Sequence, residues 1–354
     1  MDRRWRELAE ILVNYSVEVK KGDKVMITML EPETEPLARA CFEEAIKAGG
    51  FPFIEYQSAY LEKGLMMYGT EKQVSWVNEM SLYGMQWADC YIGLRGARSP
   101  YEFSAIPGDR IAAHKKAMGK ISAERNRTRW VLTRVPNESF AQQAKMPFEE
   151  MMDFYFDASV RDWKKERGQL LKVRDLLASG HHVRVTGKET DISFDTEGRV
   201  YVAADGHINM PDGEVYTCPV ETSVNGNVYF EFPGAYAGNY IEGIRLQFEN
   251  GRLTRCQAET NEELLKEILS IDSGAAVLGE FGIGLNYGIS RYCGDILYDE
   301  KIGGTIHFAM GRGYPECLGN DGSALHWDII KDTRKEGAVY LDGRKVMENG
   351  EWFV

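Results

Sequence analysis

Two hydrophobic periodicities divide this chain. Up to about residue 180, short apolar runs alternate with stretches whose apolar residues recur every three to four positions. Lys24-Val25-Met26-Ile27-Thr28-Met29 is a run of β-formers and predicts a strand. Thr34-Glu35-Pro36 supplies a capping residue and a first-turn proline. Leu37, Cys41 and Ala45, with Ala38, Phe42 and Ile46, then recur every four residues. That spacing predicts a helix with one apolar face, closed by Gly49-Gly50. Phe51–Tyr56, Cys90–Leu94 and Arg129–Thr133 predict three further strands. Strand–helix–strand order with short punctuation points to a parallel, layered α/β unit. From Pro147 to about Ala178 the pattern is helical along Met152, Phe156, Val160 and Trp163, with Gly168 as an interruption and Gly180 as the stop.

Beyond residue 180 the pattern shortens. Asp212-Gly213, Asn225-Gly226, Asn250-Gly251, Asp342-Gly343 and Asn349-Gly350 separate short runs of β-formers. Such dipeptides tolerate positive φ and predict tight hairpins, so this half reads as mostly antiparallel, with one helix at about Asn261–Ser270. The expected organisation is an α/β amino-terminal domain over 1–180 and a β-rich domain over 181–354.

The chain has 354 residues and 42 basic against 54 acidic side chains, a formal charge of −12. An acidic balance argues against nucleic acid as partner, because phosphate neutralisation needs clustered Lys and Arg. No apolar run reaches the roughly 20 residues of a membrane helix. The segment Met1–Glu7 lacks the apolar stretch of a secretory signal, so the expected location is the cytoplasm. Six cysteines, at 41, 90, 218, 256, 293 and 317, form no CxxC pair and read as small buried hydrophobes.

Histidine narrows the search for chemistry. His114 sits beside Lys115 and Lys116 and reads as part of a solvated helix face. His181 and His182 are neighbours that would point to opposite sides of a strand. His207 has Asp205 two residues before it, a secondary candidate. The pattern around His326 is more specific. Leu325, Trp327 and Ile329 share an apolar face, while His326 and Asp328 project together from the other. Ile306, Phe308 and Met310 likewise back Thr305, His307 and Ala309. Two strands thus each place an imidazole on the face away from the core, and the small Thr305 and Ala309 leave room beside His307. Glu214 follows the Pro211-Asp212-Gly213 turn, and Glu280 ends an apolar run between Gly279 and Gly282. Three carboxylates and two imidazoles are a ligand mixture suited to a pair of divalent cations. No phosphate loop, GxSxG elbow or HExxH helix occurs.

Around these same residues the chain resembles the aminopeptidase T and aminopeptidase S family of metallopeptidases. Met210-Pro211-Asp212-Gly213-Glu214-Val215-Tyr216-Thr217-Cys218-Pro219 is similar to its MPxGEV-[FY]-T-x-P motif, and Leu278-Gly279-Glu280 to its LGE segment. Asp299-Glu300, His307–Gly311, Tyr314-Pro315-Glu316 and Ser323-x-x-His326-x-Asp328 resemble its remaining blocks, and Leu12–Ser16 with Val19–Val25 its opening. The resemblance implies a metal-dependent aminopeptidase acting on peptides with a free amino terminus. It further implies two divalent ions (zinc, cobalt, manganese or magnesium) and a homodimer. Carried over, the ligands would be Glu214, Glu280, His307, Tyr314, His326 and Asp328, with Glu280 bridging. Glu300 would be a ligand or a neighbour of the ligands, and Tyr314 an oxyanion donor or a ligand. Glu280, Glu300 and Glu316 are the candidate bases, in that order. The segment between Tyr314 and His326 is shorter than the family's, which bears on substrate preference. Two rivals stand beside this reading. Ring-cleaving dioxygenases of dihydroxypyridines resemble the same family and use one ferrous ion, for which His307, His326 and Asp328 would suffice. A non-catalytic module stabilised by metal is the other.

Overall fold

The structure is a computed structural model that describes residues 2–354. The chain forms two compact units, Met1–Arg161 with Gly206–Pro211, and Asp162–Asp205 with Asp212–Val354.

In the first unit, strands β1 (Lys24–Leu30), β2 (Phe51–Gln57), β3 (Cys90–Arg95) and β4 (Arg129–Arg134) are all parallel, in the order β2-β1-β3-β4. The returning segment adds a short parallel strand, Asn209–Met210, beside β4. Helices α1 (Glu35–Lys47), α2 (Ala59–Tyr68), α3 (Glu79–Trp87) and α4 (Gly108–Arg125) connect the strands. In α1 the buried positions Leu37, Ala38, Cys41 and Ala45 follow the expected face, whereas Ile46 is exposed. His114 departs from expectation. It is 7% exposed, because α4 turns its His114–Ala117–Ile121 stripe inward and leaves Lys115 and Lys116 in solvent.

The helical stretch after Pro147 is two helices, Phe148–Ser159 and Trp163–Ala178, broken at Val160–Asp162, where Asp162 caps the second by accepting from the Lys165 amide. Gly168 lies inside the second helix without interrupting it, and that helix belongs to the second unit rather than ending the first.

The second unit is built on two large sheets and a two-stranded one, Gly234–Tyr236 paired with Asn239–Ile241. One has eight strands, from His182–Gly187 to the carboxy-terminal Glu351–Trp352. The other runs β9-β8-β7-β6-β5, where β5 is Val202–Ala204, β6 Glu214–Thr217, β7 Leu278–Gly284, β8 Ile306–Gly311 and β9 His326–Lys331. All its pairings are antiparallel. The sheets bury a common core in which Phe194 of the first meets Phe281 and Phe308 of the second, ring centroids 5.0 and 6.1 Å apart. Asn250-Gly251, Asp342-Gly343 and Asn349-Gly350 all have positive φ and join adjacent antiparallel strands. Asn225-Gly226 does not turn the chain. It opens a strand whose Gly226 passes so close to the backbone of Asp191 that a Cβ would lie 2.0 Å from its carbonyl oxygen. All six cysteines are free thiols, five of them buried.

Candidate metal centre

Strand alternation puts the candidate residues on one face of the five-stranded sheet. Phe281, Ile283, Phe308, Trp327 and Ile329 enter the core, so Glu280, Gly282, His307, Ala309, His326 and Asp328 face the other way. Glu280 is not the end of its apolar run. It lies inside β7, with a register irregularity between Leu278 and Glu280. Across the sheet Glu280 pairs with Ala309, which pairs with Asp328, while Gly282 pairs with both His307 and Tyr216. Small residues between the functional ones leave room for the long side chains to lean together. At Gly282 this is obligatory: a Cβ there would sit 1.9 Å from Nε2 of His307.

The polar atoms converge. Nε2 of His307 is 3.4 Å from Oε1 of Glu280 and 3.5 Å from Oε2 of Glu214. Nε2 of His326 is 3.3 Å from Oε2 of Glu280 and 3.4 Å from Oδ2 of Asp328. Glu280 thus directs one oxygen to each imidazole. Ligand atoms of Glu280, His307 and Asp328 all lie within 4.8 Å of one another. The far ring nitrogens are anchored: Nδ1 of His307 donates to the Glu300 carbonyl at 3.0 Å, and Nδ1 of His326 to the Arg312 carbonyl at 2.7 Å. A carbonyl can only accept, so this arrangement turns both Nε2 atoms toward the acids, as metal-ligating imidazoles require.

The electrostatics follow from crowding acids in a dry site. Burial pulls the His307 imidazole down, but Glu280, Glu214 and Asp328 together outweigh it and raise it to about 10. Burial likewise opposes the charge of His326, yet Asp328 and Glu280 raise it to about 11. Without metal, both imidazoles therefore hold protons whose charge offsets the carboxylates. Oδ1 of Asp328 is buried without a hydrogen-bond partner among the described residues. An unsatisfied carboxylate oxygen, two anchored imidazoles and a shared acid fit a divalent cation in place of those protons.

Around this cluster, Tyr314 places its hydroxyl 3.1 Å from Nε2 of His326, and its ring 5.2 Å from that of Tyr216. Burial, then the charges of Glu280 and Asp328, push the Tyr314 hydroxyl far up, so it stays protonated. Glu300 contributes its backbone carbonyl to His307, and its carboxylate pairs with Lys301; burial pushes that carboxyl up against the opposing pull of Lys301. Lys301 is completely buried and also 3.3 Å from Oε1 of Glu214. Along the chain Lys301 is marked only by its place next to Glu300. Glu316 is exposed and accepts from the Tyr216 hydroxyl at 3.3 Å. His207 belongs to the first unit, its ring 4.6 Å from that of Tyr15. A cavity of about 190 Å³ borders His326 and Asp328, walled by Tyr236, Tyr292, Ile296 and Trp327. Asp299 also borders it and accepts from the Cys293 amide at 2.7 Å; burial raises the Asp299 carboxyl to about 8.

Comparison with known proteins gives a consistent result. The model of the thermophilic metalloprotease family (M29) matches residues 1–352. Aminopeptidase PepS of Streptococcus thermophilus is 22% identical over 98% of this chain and 97% of its own length. Aminopeptidase T of Thermus thermophilus is 25% identical over 99% of both chains. The solved structure of that wild-type enzyme superposes with a TM-score of 0.86 at 24% identity, covering 99% of each chain. A 2,5-dihydroxypyridine dioxygenase from Pseudomonas putida shares the fold, with a TM-score of 0.64 at 15% identity over 99% of this chain and 97% of its own.

Proposed function

The chain belongs to the thermophilic metalloprotease family M29, and from that premise we propose that it is an aminopeptidase, hydrolysing the first residue from peptides at the face built by β6, β7, β8 and β9. The observation that carries this reading is the divided carboxylate of Glu280, one oxygen toward His307 and the other toward His326. Divalent metal would be held there by Glu280 together with Glu214, His307, His326 and Asp328. Bound divalent metal supplies Lewis acidity and lowers the pKa of a water toward neutrality. The chain's own groups do the rest. Tyr314, kept protonated, donates a hydrogen bond to the oxyanion that forms as the scissile carbonyl is attacked. Glu300, raised by burial, is placed to take and return a proton. The cavity beside His326 accommodates the side chain of the departing residue.

No described helix is long and apolar enough to cross a membrane. The free thiols suit a reducing compartment, so we take the enzyme to be cytoplasmic. We take it to be homodimeric on the family resemblance. The dioxygenase reading has one specific support, the His307, His326 and Asp328 triad on a shared fold; the closeness of Glu214 and Glu280 to that triad favours hydrolysis.

Elemental analysis coupled to two assays decides between them. Purified protein should carry close to two divalent ions per chain and release leucine from leucyl-anilide or short peptides. A single iron, with oxygen consumed on hydroxylated pyridines, would overturn the proposal.

A further inference from the structure

Two of the free thiols, far apart along the chain, meet beside Tyr314. Cys218 follows the end of β6, and Cys317 closes the short turn Pro315–Cys317 that Tyr314 opens. The Cys317 thiol donates a hydrogen bond to the sulfur of Cys218, which also accepts from the Tyr314 amide at 3.2 Å. Packing holds that sulfur in place. A Cβ on Gly313 would lie 2.9 Å from Sγ of Cys218, and one on Gly319 only 2.3 Å away. The Cys218 side chain thus occupies a slot between two glycines of the loop that carries its partner.

No CxxC spacing announces this pair, because the loop and the strand that bring it together are distant in sequence. Both thiols are buried, yet Cys317 lies in a surface turn whose Pro315, Glu316 and Leu318 are exposed. Local opening of such a turn costs far less than unfolding and admits a small oxidant. The same turn bears on the metal centre. Tyr314 places its hydroxyl 3.1 Å from Nε2 of His326, while its backbone amide is held by Cys218. Whatever moves Cys317 toward Cys218 therefore acts on the backbone that carries Tyr314.

We propose that Cys218 and Cys317 are an oxidative modification site, which a hydroperoxide converts reversibly to a disulfide that draws Tyr314 out of line with His326. The hydroperoxide takes two electrons from the sulfur of Cys218. An S–O bond forms as the O–O bond breaks, and the thiol proton passes to the departing oxygen, giving a sulfenic acid and water or an alcohol. The sulfur of Cys317 then attacks; the S–S bond replaces the S–O bond, and the hydroxide leaves with the Cys317 proton as water. A disulfide is about 2.05 Å long, shorter than any hydrogen-bonded thiol contact, so its closure shifts the turn against the end of β6. A shift of about 1 Å in a positioned group costs on the order of 100-fold in rate. The disulfide stands independently of the assigned activity, and its effect on turnover rests on the aminopeptidase reading.

The test treats the full-length, metal-loaded protein with hydrogen peroxide and maps its peptides by mass spectrometry without reduction. A peptide pair linked through Cys218 and Cys317, lighter by two hydrogens, is expected. Turnover of leucyl-anilide should fall at least about tenfold, and dithiothreitol should restore it. Cys317→Ser should form no such link and keep its turnover under the same treatment; Cys317→Ala gives the same readout if the serine variant folds poorly. Absence of the linked pair, or oxidation that runs to sulfinic acid instead, overturns the modification site. A linked pair with turnover unchanged, or an equal loss in Cys317→Ser, overturns its action through Tyr314. If no anilide is hydrolysed before oxidation, the aminopeptidase reading fails, while the mass of the linked pair still decides the disulfide.

Discussion

Gly282 and His307 face each other across β7 and β8 so closely that a Cβ on the glycine would lie 1.9 Å from Nε2 of the imidazole. The strand therefore has room for the ring only because position 282 has no side chain. Gly282→Ala should push His307 away from Glu280 and Glu214 while leaving the sheet paired, since no positive φ is involved. Metal affinity or turnover should fall on the order of 10–100-fold, as when a ligand loses its support. Elemental analysis and an anilide assay, with circular dichroism as the control for folding, check this.

Lys301 is buried against Glu214 and Glu300. Lys301→Met leaves two acids without their counter-charge, and breaking a buried pair this way costs about 3–5 kcal/mol. The loss should be largest in metal-free protein and smaller when divalent cation is present to neutralise Glu214. Urea unfolding with and without metal measures the difference; equal losses in both conditions would remove Lys301 from the electrostatics of the centre.

Tyr314→Phe removes a protonated hydroxyl 3.1 Å from Nε2 of His326. If that hydroxyl stabilises the oxyanion, kcat should drop on the order of 10²–10³-fold with KM little changed and metal content retained. Loss of metal in this variant would instead make Tyr314 a ligand.

Asp299 carries a carboxyl raised by burial from 3.8 to about 8. Between those values the folded state binds the proton that the unfolded state has released, so this group makes stability fall as pH rises from about 4 to 8. Asp299→Asn keeps an acceptor for the Cys293 amide and titrates nothing. It should flatten the slope by about 1.4 kcal/mol per pH unit in the middle of that window. Denaturant midpoints at four or five pH values read it directly.

Much of this architecture was legible along the chain because it is local. β1 to β4 declare themselves by runs of β-formers, and the Asn-Gly and Asp-Gly pairs at 250, 342 and 349 carry their own backbone preference. His326 and Asp328 share a face because strand side chains alternate, which needs no knowledge of the rest of the molecule. His114 shows where this logic stops. Its neighbours Lys115 and Lys116 are charged and exposed, but a helix turns by about 100° per residue, so adjacent positions say little about which side meets the sheet.

Residue order by itself determined the kinds of strand and helix, the side of each strand on which an imidazole stands, and a motif set specific enough to indicate the family. Only the tertiary structure decided that Glu280 reaches both histidines, that Lys301 is enclosed with Glu214, and that Gly282 must be small. Those facts depend on which strands pair and in what register. Pairing distances are set by contacts between residues up to a hundred positions apart, and no short-range pattern encodes them.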